Sequence, residues 1–277
     1  MNTPNSSALQ LPELLASEKF ILVDNSAQKA FITPELHETT PDALNTLYDK
    51  ERLNSVITGV KEFANFFENP NVFTIDQVVT EMKNWHDGVR GAKKAYQRRK
   101  RSSTKKPTTY SKNAAAVIHH LDRYQHALKR LQSTARMNSV VPSTPALYKT
   151  LKRMLLATAD ILNPAYGPQD SLRADYHEEV QLTTDEELVA TAVFNSTIVQ
   201  KPTALLTGDS DLGDILVGFL GLIDKFTEDD GELPMQFFSS LNKNPVRIYF
   251  VDPQQTIILR EDTSKMIQIN KDYDRES

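Results

Sequence analysis

The stretch from Ala204 to Ile215 is the feature that most constrains the fold of this 277-residue chain. It starts with three apolar residues, Ala204 to Leu206, without polar alternation, which is typical of a short strand covered on both faces. Thr207 and Gly208 then predict a turn, with the glycine supplying a backbone angle that other residues resist. Apolar residues recur at helical spacing from 212 onward. A buried strand that leads directly into a helix predicts an α/β protein with a parallel sheet.

Two acidic residues, Asp209 and Asp211, flank Ser210 in the turn between this strand and its helix. One interpretation is that Asp209 or Ser210 only caps the helix, because Asp and Ser are favoured at that position. The other is that the acids face a ligand, since parallel sheets bind ligands at the carboxyl ends of their strands. Further acids at similar junctions favour the second interpretation: Asp24, Glu81 and Asp185.

Two of these further acids lie where a predicted strand ends or a predicted helix begins. Asp24 ends an apolar stretch, and the turn formers Asn25 and Ser26 follow it. Asp185 lies in the first turn of a helix that the pattern from Thr184 to Glu187 would open as a capping box. A carboxylate in that first turn is favoured by the helix dipole. Both acids are therefore expected near the edge of the sheet.

The third acid, Glu81, lies among apolar residues on a predicted helix. A short strand at 71–74 precedes this helix, and Thr74 and Gln77 have the spacing of a capping box. An acid among apolar neighbours needs a partner, because burying an unpaired charge is costly. The chain has no cysteine, which excludes disulfides and thiolate zinc sites. Clustered carboxylates are hard oxygen ligands, and they predict a site for Mg²⁺ or Mn²⁺.

Positive charge is concentrated in one part of the chain. The segment 90–153 contains 17 of the 32 Lys and Arg residues and one acid, Asp122, which predicts a polyanionic partner. Residues 98–112 cannot build a core and predict a basic loop. The cations of this run are candidates for nucleic-acid contact: Arg98, Arg99, Lys100, Arg101, Lys105 and Lys106. The run would alternatively serve as a nuclear import signal. The histidines at 119–126 are expected to contact solvent or phosphate.

Taken together, these motifs resemble the PIN domain family of nucleases. Leu22–Ser26 is similar to that family's opening strand with its Asp, and Val72–Glu81 to its second strand and the helix that carries a Glu. Asp185–Ala192 matches the Asp-x-x-aliphatic-x-Ala-x-Ala start of a helix. Leu206–Asp211 matches the Thr-x-Asp-x-Asp turn. The resemblance implies a central parallel sheet flanked by helices, with acids gathered at the carboxyl ends of the strands.

The resemblance also implies roles for the individual residues. The acids that would hold Mg²⁺ or Mn²⁺ and act in catalysis are Asp24, Glu81, Asp185 and Asp209, with Asp211 bound directly or through water. The polar residues that would orient these ligands are Asn25, Ser26, Thr207 and Ser210. Asp76 and Glu62 are alternatives to Glu81 for the acid of the second helix.

The resemblance covers residues 18–89 and 180–252. A basic helical insertion at 90–179 interrupts it, and a C-terminal strand and tail at 253–277 follow, with the late strands forming a β-hairpin. The insertion is a departure, because 104 residues separate Glu81 from Asp185 whereas family members are more compact. The related flap and 5′-nucleases place a basic helical insertion over their acidic site. A structure-specific DNA nuclease is therefore an alternative.

We interpret the sequence as that of a metal-dependent nuclease that hydrolyses phosphodiester bonds, with RNA favoured over DNA as the substrate. The rival is a PIN-like module that binds nucleic acid or protein without cleavage. No secretory signal is visible, and the longest apolar run, 215–223, is too short to span a bilayer. We expect a cytoplasmic protein without membrane contact, or a nuclear one if the basic run is an import signal. The sequence does not decide between a monomer and a homo-oligomer.

Overall fold

The computed structural model describes residues 8–32, 50–102, 109–140, 148, 151, 182–209, 211–230, 239–252 and 255–267. It is a mixed α/β protein whose five-stranded, mostly parallel sheet is flanked by helices. The helices are α1 (Leu11–Ser17), α2 (Asn25–Ile32), α3 (Lys50–Phe67), α4 (Asp76–Ser102), α5 (Thr109–Met137), α6 (Thr184–Thr197) and α7 (Asp211–Asp230). The strands are β1 (Ile21–Val23), β2 (Val72–Phe73), β3 (Thr203–Thr207), β4 (Val246–Val251) and β5 (Ile257–Asp262).

The strand order is β2-β1-β3-β4-β5, and the first four strands are parallel. β5 runs antiparallel to β4, which confirms the predicted hairpin. In the register of β1 and β3, Ile21 pairs with Ala204 and Val23 with Leu206. The chain leaves β1 toward β2 on one side and returns to β3 on the other. The carboxyl ends of β1 and β3 therefore form the topological switch point, where α/β sheets place their ligand crevice.

Apolar burial explains why the short strands are stable. Every residue of β1 and β3 is buried, as expected for strands covered on both faces. Helix α5 packs against α3 and α4 and shares their core. Its buried residues recur at helical spacing: Leu121, Tyr124, Leu128 and Leu131. Within the described residues, no helix is both long and apolar enough to cross a membrane.

Several predicted details of the chain differ in the structure. Thr74 does not cap α4, which begins at Asp76; its hydroxyl instead donates to the carbonyl oxygen of Val23 at 2.9 Å. The described residues of the predicted loop at 98–112 are helical, because α4 extends to Ser102 and α5 begins at Thr109. The predicted boundary between 89 and 90 falls within α4, and most of the chain between 141 and 181 lies outside the described residues.

Candidate functional site

Asp24 follows directly after β1, and its carboxylate is held by hydrogen-bond donors on both oxygens. Oδ1 accepts the backbone N–H of Asn25 at 2.5 Å, and Oδ2 accepts the backbone N–H of Ser26 and the hydroxyl of Thr207, both at 3.1 Å. The Ser26 hydroxyl also donates to Oδ2. Burial raises the pKa of Asp24 and the negative charge of Glu81 adds to this, while the hydrogen bonds from Ser26 and Thr207 oppose it.

Gly208 brings the end of β3 against the end of β1. Its backbone N–H donates to Ser26 Oγ at 2.8 Å, and Ser26 Oγ lies 3.0 Å from Thr207 Oγ1. A Cβ at Gly208 would lie 2.7 Å from the carbonyl oxygen of Ser26, closer than real Cβ atoms approach. The backbone angle expected from the sequence is not the reason for this glycine, because Gly208 does not adopt a left-handed conformation. Close backbone approach is the reason.

Glu81 lies beside the Asp24 turn. Its Oε2 accepts the side-chain N–H of Asn25 at 2.8 Å, and its Oε1 accepts the hydroxyl of Thr184 at 2.6 Å. The two alternatives lie elsewhere: Asp76 is exposed and accepts the hydroxyl of Ser139, and Glu62 is exposed on α3. Of the three candidates, Glu81 is the one hydrogen-bonded to the residue that follows Asp24.

The start of α6 is one residue away from the predicted position. Thr183 is the N-cap, and it forms a capping box with Glu186. The predicted box of Thr184 and Glu187 is therefore wrong. Because Thr183 satisfies the helix N-terminus, the hydroxyl of Thr184 is available to Glu81.

Asp185 lies in the first turn of α6, and its pKa is raised by the acidic residues around it. Burial, which has the largest effect, and the negative charges of the four other predicted ligands together raise its pKa to about 7. In order of their effect these are Asp24, Asp209, Asp211 and Glu81. The five side chains named in this paragraph are called the carboxylate group below. The charge of each of the other four raises the pKa of Asp185, and Asp24 and Asp209 follow the carboxyl ends of β1 and β3.

Asp209 and Asp211 form the exposed side of the carboxylate group. The backbone N–H of Asp209 donates to Thr207 Oγ1 at 3.0 Å, and Asp209 Oδ1 accepts the backbone N–H of Asp211 at 3.3 Å. The second contact is what the capping interpretation expects, since Asp211 is the first residue of α7. Asp209 therefore contacts the start of α7, and its negative charge also raises the pKa of Asp185. Ser210 lies outside the described residues.

The carboxylate group fits Mg²⁺ or Mn²⁺ in its chemistry, because its donors are hard oxygen atoms. The side-chain oxygen of Asn25 is buried and accepts no hydrogen bond from the described residues, so it is a further oxygen of this type. Within the described part of the chain, however, no three His, Asp or Glu side chains are grouped so as to hold one metal ion. Hydrogen bonds already engage both oxygens of Asp24 and both of Glu81.

A cavity of about 500 Å³ adjoins the carboxylate group and was missed by the sequence analysis. Glu81 and Thr184 line it, together with Tyr148 and Glu187. The Tyr148 hydroxyl donates to Glu187 Oε1 at 2.6 Å and lies 2.9 Å from Thr191 Oγ1. Burial raises the pKa of Tyr148 well above its usual value, and the charge on Glu187 adds to this. The sequence next to Tyr148 contains no pattern that predicts a hydrogen bond from its hydroxyl to Glu187.

Four of the six predicted nucleic-acid contacts lie near the C-terminal end of α4. Arg98 is exposed there, and the residues Arg99, Lys100 and Arg101 follow it in the helix. Lys105 and Lys106 lie outside the described residues. Their role in binding remains a prediction.

The fold and this edge of the sheet define a mixed α/β protein with acidic residues at the switch point of a mostly parallel sheet. Comparisons with protein-family models, with curated proteins and with solved structures gave no match.

Proposed function

We propose that the protein is a metal-dependent nuclease that hydrolyses phosphodiester bonds in RNA. The observation that carries this proposal is the position of the carboxylate group. The charges of four carboxylates raise the pKa of Asp185, and Asp24 and Asp209 follow the carboxyl ends of the neighbouring strands β1 and β3. Repulsion among these carboxylates destabilises the folded chain, and a bound cation relieves it. The basic charge of segment 90–153 is consistent with a polyanionic substrate.

The residues of the group would have different tasks. A divalent ion, when bound, supplies an activated water and neutralises charge on the leaving oxygen. Asp24 is held in place by Asn25, Ser26 and Thr207, so its carboxylate is oriented in advance. The exposed side chains of Asp209 and Asp211 would complete the set of ligands from the solvent side. Asp185 would lose its proton near neutral pH, which makes its oxygen available as a ligand.

A second candidate function is a module of the same fold that binds nucleic acid or protein without cleavage. It is favoured by one observation, that the described residues contain no grouping of three His, Asp or Glu side chains around one ion position. In such a module, the carboxylates of Asp24 and Glu81 would keep their present hydrogen bonds and would bind no metal ion.

Cleavage of labelled RNA distinguishes the two functions. Purified protein is incubated with the RNA in manganese and in chelator, next to Asp24→Asn and Asp209→Asn, which keep side-chain size but remove charge. Asp214→Asn is the matched control, because Asp214 is exposed on α7 beside the site but does not belong to the carboxylate group. Loss of one ligand should lower the rate by at least about a hundredfold.

The nuclease proposal requires cleavage by the parent and by Asp214→Asn in manganese and none in chelator. Cleavage by Asp24→Asn and Asp209→Asn at the parental rate would show that the activity comes from elsewhere. RNA binding without cleavage by any of the proteins would favour the second candidate function.

A further inference from the structure

A second polar cavity lies between helices α3 and α5 and encloses about 460 Å³. We call it the α3/α5 groove. It is lined by Lys61, His119, Asp122, Arg123, His126, Ala127 and Arg130. Five of these seven residues have basic side chains, and none of them belongs to the carboxylate group. This concentration of basic side chains in one concave surface points to an anionic ligand.

The basic side chains of α5 form a single row along the groove. The row consists of His119, Arg123, His126 and Arg130. Intervals of four, three and four residues place them on one face of the helix. All four are exposed, whereas the core face of the same helix is buried. With a rise of about 1.5 Å per residue, the row is about 16 Å long, which suits an extended ligand.

The acids at the groove are already paired with cations. Asp122 accepts an ion pair from Lys93 of α4. Glu68 pairs with Arg130 at 2.6 Å, and the guanidinium of Arg130 is also held by Asn65 at 3.0 Å. These pairs cancel the negative charge at the groove, so the remaining cations determine its sign.

Arg123 and Lys61 supply the surplus positive charge. Arg123 donates to the neutral side-chain oxygen of Asn54 at 3.2 Å, a contact that orients its guanidinium without cancelling its charge. Within the described part of the chain, no carboxylate forms an ion pair with Arg123 or Lys61. An oriented guanidinium next to an ammonium group suits phosphate oxygens.

Helix α4 packs beside α5, next to the groove. The ion pair of Lys93 with Asp122 fixes α4 beside the groove. Arg98 is exposed five residues further along α4, about 7.5 Å along the helix axis. Lys61 and Arg123 at the groove and Arg98 on α4 are therefore exposed cations on three packed helices, and cations spread over such a surface suit a long polyanion better than a small anion.

We propose that the α3/α5 groove binds the phosphate backbone of single-stranded RNA, with Lys61 and Arg123 as its principal phosphate contacts. Contacts of this kind position a nucleic acid without reading its sequence. The groove proposal takes its ligand from the proposed function, but it does not require cleavage.

The test is the binding of fluorescein-labelled single-stranded RNA in chelator, followed by fluorescence anisotropy over a range of salt concentrations. The variant Lys61→Ala/Arg123→Ala should bind about tenfold more weakly, and the log-log salt slope should decrease by about 1.4 for two lost phosphate contacts. The matched control is Lys83→Ala/Lys129→Ala, which removes two exposed charges that do not line the groove. The control should bind with nearly the parental affinity and slope.

Equal affinity and slope for the groove variant and the parent would overturn the groove proposal, as would an equal loss in the control. Failure of the parent to bind RNA would also overturn it. Vesicles with phosphatidylserine serve as a second probe, and groove-dependent capture by vesicles without RNA binding would identify a membrane surface instead. Cleavage in manganese is measured separately. RNA binding through the groove without cleavage therefore rejects only the nuclease proposal, and cleavage with unaltered binding by the groove variant rejects only the groove.

Discussion

Thr184 donates its hydroxyl hydrogen to the carboxylate of Glu81, with 2.6 Å between Oγ1 and Oε1 and 103 positions between the two residues. The other oxygen of Glu81 accepts a hydrogen bond from Asn25. These contacts connect α4 to the start of α6 and to the first residue of α2. The position of Glu81 therefore depends on chain segments that are far apart in sequence.

We predict that Thr184→Val lowers the rate of RNA cleavage by about tenfold, equivalent to about 1.4 kcal/mol of transition-state stabilisation. Valine has the shape of threonine but no hydroxyl donor, so Glu81 loses one of its two side-chain partners. Single-turnover cleavage measures the effect, and Thr184→Ser should restore most of the rate. A parental rate in Thr184→Val would show that this hydrogen bond does not position Glu81 for the reaction.

The neighbouring threonine should behave differently. Thr183 caps α6, so Thr183→Ala should lower the free energy of unfolding by about 1 kcal/mol. It leaves the contact of Thr184 with Glu81 in place, and the cleavage rate of the folded protein should change little. Urea unfolding and the cleavage assay separate the two effects. A larger rate loss in Thr183→Ala than in Thr184→Val would contradict the assignment of these roles.

The sequence predicts the elements of the fold better than it predicts the separate roles of Thr183 and Thr184. The parallel sheet and the late hairpin follow local apolar patterns, and the structure confirms both. Thr183 and Thr184 are both good caps by local criteria. The choice between them depends on a distant carboxylate, which no local pattern encodes.

The carboxylate group was likewise predictable only in part. The sequence predicts Asp24, Asp185 and Asp209 as site residues because each lies where a strand ends or a helix begins, and parallel strands bring such residues to one edge. The hydrogen bonds that hold Asp24 could not be predicted, since they involve Thr207 from a strand 183 positions away. The α3/α5 groove was missed because its lining residues belong to two helices, and the packing of one helix on the other is a tertiary property.

Gly208→Ala should destabilise the protein by roughly 1–3 kcal/mol, because the new Cβ overlaps the backbone of Ser26. The overlap would also push the end of β3 away from Asp24. Gly221→Ala is the control, since nothing lies within 4 Å of the Cβ position in helix α7. That variant should gain roughly 0.5–1 kcal/mol from helix propensity. Thermal unfolding gives both values, and stabilisation by Gly208→Ala would contradict the close approach.

The raised pKa of Asp185 predicts how stability depends on pH. The folded protein holds this proton up to a pKa of about 7, whereas the ordinary value is 3.8. Between these values the folded state binds more protons than the unfolded state, so the contribution of Asp185 to the free energy of unfolding falls as pH rises. The destabilisation of the folded state by the Asp185 carboxylate is complete above about pH 7 and is absent below about pH 4.

Asp185→Asn isolates this contribution from those of other groups. In chelator, the variant should gain stability over the parent as pH rises from about 4 to about 8, by a few kcal/mol in total. Urea unfolding at a series of pH values measures the difference. A difference that does not change with pH would mean that Asp185 does not titrate in a field of like charges.

The most direct test of the shared carboxylate site is the melting temperature in saturating manganese and in chelator. A divalent ion that binds only the folded protein adds about 2.7 kcal/mol at a hundredfold excess over its dissociation constant. The melting temperatures of the parent and of Asp214→Asn should rise in manganese at neutral pH, and that of Asp209→Asn should rise much less. Equal melting temperatures of the parent in manganese and in chelator would contradict a metal site formed by these five carboxylates.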